Sequence, residues 1–255
     1  MTAKPGVCLV TGASYGLGAE ISRQLGRAGW TVLLVARSAD KLEVLEREIC
    51  GGEGGGAALG LACDITDTTA VLQLGQKVRE KFPEGPDVII NNAAYVPPIH
   101  TFATGDVSEW QKAIGVNVMG ALLVTRAFLP GMLERKSGKI IFISSKAGVS
   151  PSPGLAVHGG TKALVEAVAR SVRQEVAASG LTVSLVRPGG VATPGYSHAT
   201  SNISQQSLDS LGCWVPPDPA LCLQPQHIAA SIVNIVQTRN SQDIQEINIL
   251  PPPRN

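Results

Sequence analysis

Short apolar segments recur along the chain, and their spacing restricts the fold more than any other feature. Seven of them lie at 7–11, 31–36, 58–64, 87–91, 139–145, 182–188 and 244–250. Most are continuous rather than alternating, as expected for strands that are buried on both faces of a parallel sheet. Between them, apolar residues repeat every three or four positions, most clearly in 17–28, 108–133 and 156–178, which is typical of amphipathic helices. The alternation predicts an α/β protein with a Rossmann-type, doubly wound parallel sheet of about seven strands and helices on both faces.

Length and charge exclude several other classes of protein. The 255 residues show no break in composition and no internal repeat, so we expect one domain over 1–255. The formal net charge of +1 and the hydrophobic content of 44% argue against disorder and against a general nucleic-acid surface. No uninterrupted apolar run reaches about 18 residues, and the start of the chain lacks a signal-peptide pattern. We therefore expect a soluble cytoplasmic protein that binds neither nucleic acid nor membrane.

The cysteine and histidine spacings match no metal or redox motif. Cys8 and Cys63 lie in strand-like runs and are predicted to be buried thiols. Cys213 and Cys222 lie in a Pro-rich segment, where a reversible disulfide is possible but uncommon for a cytosolic chain. Three histidines outside the motifs are expected to have surface or loop roles, so no metal site is predicted: His100, His198 and His227.

Two segments carry no regular apolar pattern. The Gly-rich stretch 50–58 is interpreted as a flexible surface turn. The long, polar and Pro-rich segment 194–226 follows the end of a strand, where open α/β sheets bind ligands, and is predicted to be a substrate loop. Its apolar residues suit a partly apolar carbonyl compound, although the leucines could equally pack on the body of the protein: Leu211, Trp214, Leu221 and Leu223.

The first strand leads into "TGASYGLG" (11–18), which then opens a helix. Gly12, Gly16 and Gly18 allow a tight turn and a close approach of the backbone to a pyrophosphate at the helix N-terminus. Strand, turn and helix stand in the required order, so the pattern predicts a dinucleotide site. The alternative is a turn that binds nothing.

Further motifs follow in order, namely "CDIT" (63–66), "NNAA" (91–94), "VNVMG" (116–120), "ISS" (143–145) and "RPGGVAT" (187–193). Together with the glycine turn they resemble the short-chain dehydrogenase/reductase family over nearly the whole chain. Taken singly, Asp64 could cap the following segment, Asn91 and Asn92 could be turn residues, and Asn117 could be a satisfied polar group in a helix. The resemblance implies a cofactor site made of Gly12, Ser14, Tyr15, Gly16, Leu17, Gly18, Arg37, Ser38, Asp64, Ile65, Asn92, Ala93, Lys162, Pro188, Gly189, Val191 and Thr193.

The end of the second strand bears on the choice of cofactor. The resemblance places the acid that selects NAD at Ala36, which has no charge, and Arg37 follows directly. An arginine can pair a 2′-phosphate through two donors, and Ser38 can add a hydroxyl. We therefore predict NADP(H) rather than NAD(H), the alternative being that Arg37 is only a solvated surface charge.

The resemblance also implies a catalytic set. In the family a tyrosine precedes a lysine by four residues, and a serine faces them; counting from Lys162 gives position 158 for the tyrosine and Ser145 for the serine. Position 158 is histidine. The implied roles are proton transfer for His158, ribose binding for Lys162, a hydrogen bond to the substrate oxygen for Ser145, and support of a water chain for Asn117.

Histidine can transfer protons, since its unperturbed pKa is about 6.5. The charges of Lys162 and of an oxidised nicotinamide disfavour the imidazolium form, however, so a neutral His158 is a better base than proton donor. Alcohol oxidation should therefore be easier than ketone reduction near neutral pH. The ring nitrogen of an imidazole also extends less far from the backbone than the oxygen of a phenol. Tyr95 or Tyr196 could instead supply the phenol that position 158 lacks.

We accordingly predict an NADP(H)-dependent oxidoreductase that interconverts a carbonyl compound and its alcohol, with His158 in place of the usual tyrosine. The alternatives are an enzyme without net redox (an isomerase, dehydratase or cyclase) and a cofactor-binding pseudoenzyme. The terminal "INILPP" is similar to family members that act on hydroxy acids and small alcohols. The resemblance further implies a homodimer or homotetramer packed through 108–133 and 156–178.

Overall fold

The computed structural model describes residues 5–201, 203–212, 221–238 and 243–251, and it places the strands of these regions in one sheet. The strands are β1 (Val7–Thr11), β2 (Thr31–Ala36), β3 (Ala57–Ala62), β4 (Val88–Asn91), β5 (Gly138–Ile143), β6 (Leu181–Pro188) and β7 (Glu246–Ile249). Their order is β3-β2-β1-β4-β5-β6-β7, and all neighbouring pairs are parallel. The predicted doubly wound parallel sheet is confirmed, with strand limits within three residues of those expected.

The α-helices between the strands cover both faces of the sheet. They are α1 (Gly16–Arg27), α2 (Ala39–Cys50), α3 (Thr68–Lys81), α4 (Val107–Ile114), α5 (Ala121–Glu134), α6 (Ala156–Glu175), α7 (Pro194–Thr200), α8 (Gln205–Ser210) and α9 (Pro225–Gln237). One buried cluster joins the sheet to α1, α2 and α9, and a second joins its other face to α3, α5 and α6.

Neighbouring residues of a strand belong to opposite clusters. In β1, Val10 packs in the first cluster and Leu9 in the second, and in β2 Leu34 and Leu33 divide in the same way. Because both faces of the sheet are covered, successive residues are buried, which explains the continuous apolar runs. Cys8 and Cys63 are buried in these clusters, as predicted.

The segment predicted as one helix over 108–133 is helical throughout but changes pitch. α4 and α5 are joined by a π-helical turn, Gly115–Gly120. By length and composition the stretch Val107–Glu134 could cross a membrane, with a mean hydropathy of 1.5 and 44% of its most apolar window buried. Phe128 and Met132 pack in the second cluster, so the stretch contributes to the core of the domain.

The glycines of 50–58 have a packing role that the prediction of a flexible turn did not include. A Cβ atom on Gly54 would lie 2.1 Å from the carbonyl oxygen of Arg27, and one on Gly56 would lie 2.2 Å from that of Gly26. The turn therefore packs directly against the end of α1, which only residues without a side chain permit.

The segment 194–226 is more regular than predicted. Its described part contains α7 and α8, so the expectation of an irregular loop was wrong there. Leu223 packs against the first cluster, as the packing alternative for the leucines proposed. Cys222 is buried, whereas Cys213 and Trp214 lie outside the described residues, and so does the proposed disulfide.

Candidate active site

A cleft of about 1170 Å³ opens at the carboxyl ends of the central strands. Every residue predicted to bind the cofactor lines this cleft, and so do Ser145 and His158. Its volume is slightly above the usual range for small-molecule sites, which suits a dinucleotide together with a second ligand. The sheet position is also the one where open α/β sheets bind ligands.

The glycine turn fits the pyrophosphate of a dinucleotide. Gly12 and Gly16 have φ values of +68° and +59°, which residues with a Cβ adopt only at a cost. A Cβ atom on Gly18 would lie 2.2 Å from the carbonyl oxygen of Gly12. No side chain caps the N-terminus of α1, where Tyr15 is the N-cap residue. The first backbone N–H groups of α1 are therefore suited to an anion in the cleft.

Thr11 links the ends of β1 and β4, a role that sequence reasoning missed. Its Oγ1 accepts hydrogen bonds from the N–H groups of Asn92 and Ala93, both at 3.0 Å. Asn92 Nδ2 donates to the Thr11 carbonyl at 2.9 Å. Asn91 lies within β4 and donates to Thr125 Oγ1 at 2.9 Å. The two asparagines thus hold the end of β4 against Thr11 and Thr125 and are more than turn residues.

Asp64 lies at the cleft after β3 and has a local partner. Its Oδ1 accepts hydrogen bonds from the N–H and the hydroxyl of Thr66, at 2.9 and 2.8 Å. Burial raises the pKa of this carboxyl, but the bonds from Thr66 and, to a smaller extent, the charge of Arg37 bring it below its ordinary value. Asp64 thus caps the short segment that follows it, as the capping alternative proposed, while Asp67 caps α3.

The end of β2 presents the positive charge of Arg37. Ala36 is buried, Arg37 is exposed at the cleft, and Ser38 is the N-cap residue of α2 without a side-chain capping bond. Lys41 Nζ lies 5.6 Å from the centre of the Tyr15 ring. A 2′-phosphate would therefore meet cationic donors here, and no carboxylate stands at position 36 to repel it.

Lys162 is buried in α6 beside the end of β5. Its Nζ donates to the carbonyl oxygen of Ile143 at 2.8 Å. Burial lowers the pKa of Lys162 to about 8, because a charged amine loses hydration in the interior.

His158 lies one helical turn before Lys162 and is 9% exposed. Burial and, secondly, the neighbouring Lys162 lower the pKa of His158 to about 3. Its Nδ1 has no hydrogen-bond partner among the described residues. The side chain is therefore a neutral imidazole at physiological pH, in agreement with the predicted direction, although burial is the larger cause.

Ser145 follows the end of β5. Its Oγ accepts a hydrogen bond from the Ala147 N–H at 3.1 Å and donates to none of the described residues. Its hydroxyl proton is therefore available to a ligand oxygen in the cleft.

Asn117 is buried behind the cleft wall and does not line the cleft. Its Oδ1 accepts from the Tyr95 N–H at 2.6 Å, and its Nδ2 donates to the Tyr95 carbonyl at 2.9 Å and to Thr161 Oγ1 at 3.0 Å. Asn117 lies in the π-helical turn Gly115–Gly120, a feature that is frequent at functional sites. Asn117 is thus a satisfied polar group, and it fixes the wall that carries Tyr95.

Tyr95 lines the cleft next to groups that the sequence did not point to. Its hydroxyl bonds to Glu109 and lies 2.9 Å from His198 Nε2, and Lys112 Nζ lies 3.9 Å from the ring centre. Burial and, secondly, Glu109 raise the pKa of Tyr95 to about 12. Tyr196 also lines the cleft.

The remaining predicted roles concern metals and histidines. His100, His198 and His227 are exposed, as expected for surface and loop residues. Within the described ranges, no group of three or more His, Cys, Asp or Glu side chains is arranged to hold a metal ion.

An ion-pair network, buried at Arg187 and Glu166 and partly exposed at Glu246, lies beside the part of the cleft that follows β5. Arg187 donates to both carboxylate oxygens of Glu166, at 2.7 and 2.8 Å, and to Glu246 at 2.7 Å. Ser144 Oγ donates to Glu166 at 2.7 Å. The network joins α6 to the ends of β5, β6 and β7, and no local sequence pattern signals it.

The comparisons with known proteins agree with this arrangement. A family model described as short chain dehydrogenase matches residues 6–203. The chain belongs to the short-chain dehydrogenase family. This dehydrogenase-family chain is 30% identical over 247 residues to a probable NADP-dependent dehydrogenase of Haemophilus influenzae, covering 93% of the chain and 96% of the relative.

Two further relatives extend the likeness. The chain is 33% identical over 245 residues to glycine betaine reductase ATRR of Emericella nidulans. The matched region is 96% of the chain but 18% of that longer protein. Its structure resembles that of a metagenomic short-chain oxidoreductase in complex with NADP, with a TM-score of 0.78, 30% identity and 98% coverage of both chains.

Proposed function

We propose that this chain is an NADP(H)-dependent oxidoreductase that interconverts a carbonyl compound and its alcohol by hydride transfer. The observation that carries the proposal is that the glycine cradle and the side chains of Ser145, His158 and Lys162 line one cleft. When bound, the nicotinamide would accept or supply the hydride.

The protein's own groups would orient the substrate and move the proton. The hydroxyl of Ser145 donates to the substrate oxygen, and the Lys162 ammonium binds the ribose hydroxyls. His158, in place of the family's tyrosine, accepts the alcohol proton. Near neutral pH the imidazole is in the form that can accept this proton and holds none to give to a ketone, so we expect alcohol oxidation to be easier than ketone reduction. Its low pKa also makes it a weak base, so we expect slow turnover.

NADP(H) is proposed over NAD(H) on the charge at the end of β2. Arg37 is exposed at the cleft beside Ser38, and Ala36 leaves the position of an NAD-selecting acid uncharged. The names of the Haemophilus influenzae relative and of the metagenomic structure, which is complexed with NADP, support this choice.

A second candidate is an enzyme without net redox, since neutral His158 holds no proton for ketone reduction near neutral pH. In that function Ser145 would polarise a carbonyl, and neutral His158 would remove an activated proton, as in an isomerase, dehydratase or cyclase. For either function we propose one domain, a small-molecule substrate, a cytoplasmic location and a homodimer or homotetramer.

The test compares wild type, His158→Ala and His158→Tyr on a panel of alcohols and ketones. NADPH absorbance is followed, and products are identified by mass spectrometry. We expect wild type to oxidise alcohols, His158→Ala to lose about 100-fold or more, and His158→Tyr to gain ketone reduction.

Other outcomes would contradict the proposal in distinct ways. Full activity of His158→Ala would remove His158 from the mechanism. Product formation without a change in NADPH would favour the enzyme without net redox, and tight NADPH binding without any turnover would indicate a pseudoenzyme.

A further inference from the structure

The charges that line the cleft are unequally distributed. Among the described residues of its lining, Asp64 is the one carboxylate, and it lies after β3 beside Arg37. Apart from Arg37 and Lys162, the described lining contributes two cations, Lys112 beside Tyr95 and Lys146 directly after Ser145. Around the catalytic groups the lining is therefore positive, and no acid in the described lining offsets it there.

Of these two cations, Lys146 is the one whose charge is less compensated by neighbouring acids. It directly follows Ser145 and begins the short turn Lys146–Gly148. Its side chain is exposed at the cleft and makes no hydrogen bond or ion pair with the described residues. The turn is held against α6, since a Cβ atom on Gly159 would lie 2.7 Å from the Ala147 carbonyl. The ammonium is thus carried by a fixed stretch of backbone next to the catalytic serine.

The positive charge of Lys112 is partly compensated by Glu109. Its Nζ lies 3.8 Å from Glu109 Oε1 and 3.9 Å from the centre of the Tyr95 ring. Lys112 therefore adds positive potential to the cleft, while Lys146 remains available for a direct ion pair.

Further donors follow Lys146 along the same wall. The hydroxyls of Ser150 and Ser152 line the cleft and make no hydrogen bond with the described residues. An apolar patch lies nearby, where Leu155 and Tyr196 pack with buried Ile99 and also line the cleft. This combination suits a ligand with an anionic end and a short apolar chain.

We propose that the substrate is a hydroxy acid or oxo acid whose carboxylate pairs with Lys146 while its carbon chain packs near Ile99 and Leu155. The inference deepens the proposed function and rests on it. In the oxidation, the alcohol carbon loses a hydride to NADP⁺ and the hydroxyl loses a proton to His158, giving the oxo acid, NADPH and one released proton.

The test uses the NADP⁺-loaded enzyme with 2- and 3-hydroxybutyrate and with the neutral methyl ester of each. For Lys146→Gln we expect the ratio of kcat/KM for acid over ester to fall roughly tenfold, as for a hydrogen bond to a charged group. Added salt should lower the same ratio for wild type, because the ion pair is partly exposed. Lys81→Gln, an exposed lysine on α3 away from the cleft lining, is the matched control.

A binding measurement separates this inference from the proposed redox function. Butyrate and butyramide are titrated into the NADP⁺ complexes of wild type and Lys146→Gln, with ligand NMR as the readout. Weaker butyrate binding by Lys146→Gln supports the carboxylate site even if no alcohol is turned over, a result that would overturn only the redox proposal. Equal butyrate affinity of the two proteins, or an unchanged acid-to-ester ratio, would overturn the inference.

Discussion

His158 and Lys162 lie one turn apart on α6, and burial acts on both of them. The pKa of His158 falls to about 3 and that of Lys162 to about 8. Two basic side chains on one buried helix face cannot both be charged at low cost, and Lys162, which donates to Ile143, keeps its proton below about pH 8. The imidazole is therefore left as the neutral group of the pair.

The depressed pKa of His158 makes stability depend on pH. Between pH 3 and 6.5 the unfolded chain binds a proton at His158 and the folded chain does not, so stability falls as the pH falls through this window. At pH 5 this costs about 2 kcal/mol relative to neutral pH. Urea unfolding of wild type and His158→Gln at pH 7 and pH 5 measures the cost. We expect the variant to lose less stability on acidification, and equal losses would contradict the assigned neutral state.

We propose that the side chain of Arg37 sets the preference for NADP(H). Arg37→Ser should weaken NADP⁺ binding by about 10- to 100-fold, because a charge-assisted contact to the phosphate is lost, and should change NAD⁺ binding much less. Isothermal titration with both cofactors measures this. Arg47→Ser, an exposed arginine on α2, is the control. Equal losses for both cofactors would show that Arg37 does not read the 2′-phosphate.

At the scale of elements, α6 must pack closely on the turn that carries the cleft serine. A Cβ atom on Gly159 would lie 2.7 Å from the backbone oxygen of Ala147, whereas one on Gly160 would meet nothing within 4 Å. Two adjacent glycines of one helix therefore have different roles, which their positions in sequence do not reveal.

These two glycines provide a matched pair of variants. Gly160→Ala should raise the free energy of unfolding by about 1 kcal/mol, because alanine is the better helix former and the space is free. Gly159→Ala should lower it by about 1–3 kcal/mol through overpacking and should reduce turnover by displacing Ser145. Thermal unfolding and initial rates measure both effects. If Gly159→Ala instead raised the free energy of unfolding, the turn would have moved to make room for the added methyl group.

At the scale of the whole molecule, the helices next to the active site leave apolar side chains in solvent. Leu164 on α6 is 45% exposed, and Ile114 and Met119 on the neighbouring helical segments are exposed to a similar degree. Exposed apolar side chains on adjacent elements favour an interface between subunits. They support the homodimer or homotetramer implied by the family resemblance.

Light scattering after gel filtration tests the assembly. We expect a mass of two or four chains for wild type and a lower mass for Leu164→Glu, because a charge in an apolar interface is costly. Val44→Glu, at an exposed apolar site on α2, should keep the wild-type mass. A wild-type mass of 26.5 kDa, that of one chain, would contradict the proposed assembly.

Much of the fold could be predicted because its signals are local in the chain. Continuous apolar runs such as β1 and β5 indicate strands covered on both faces, and the glycines after β1 indicate a turn without side chains. The family motifs then placed the predicted cofactor residues at one edge of the sheet. Segment 194–226 was predicted less well, because the short helices α7 and α8 carry weak periodicity and form in contact with the rest of the domain.

The sequence by itself determined the parallel sheet, the glycine cradle and the presence of histidine and lysine on one face of α6, since each depends on neighbours in the chain. Only the tertiary structure decided that burial, more than Lys162, keeps His158 neutral, that Asn117 holds Tyr95 from behind the cleft, and that Glu166, Arg187 and Glu246 meet. Burial and ion pairing join residues that are far apart in sequence. Their free energies therefore depend on distances and solvent exclusion that exist only once the chain has folded.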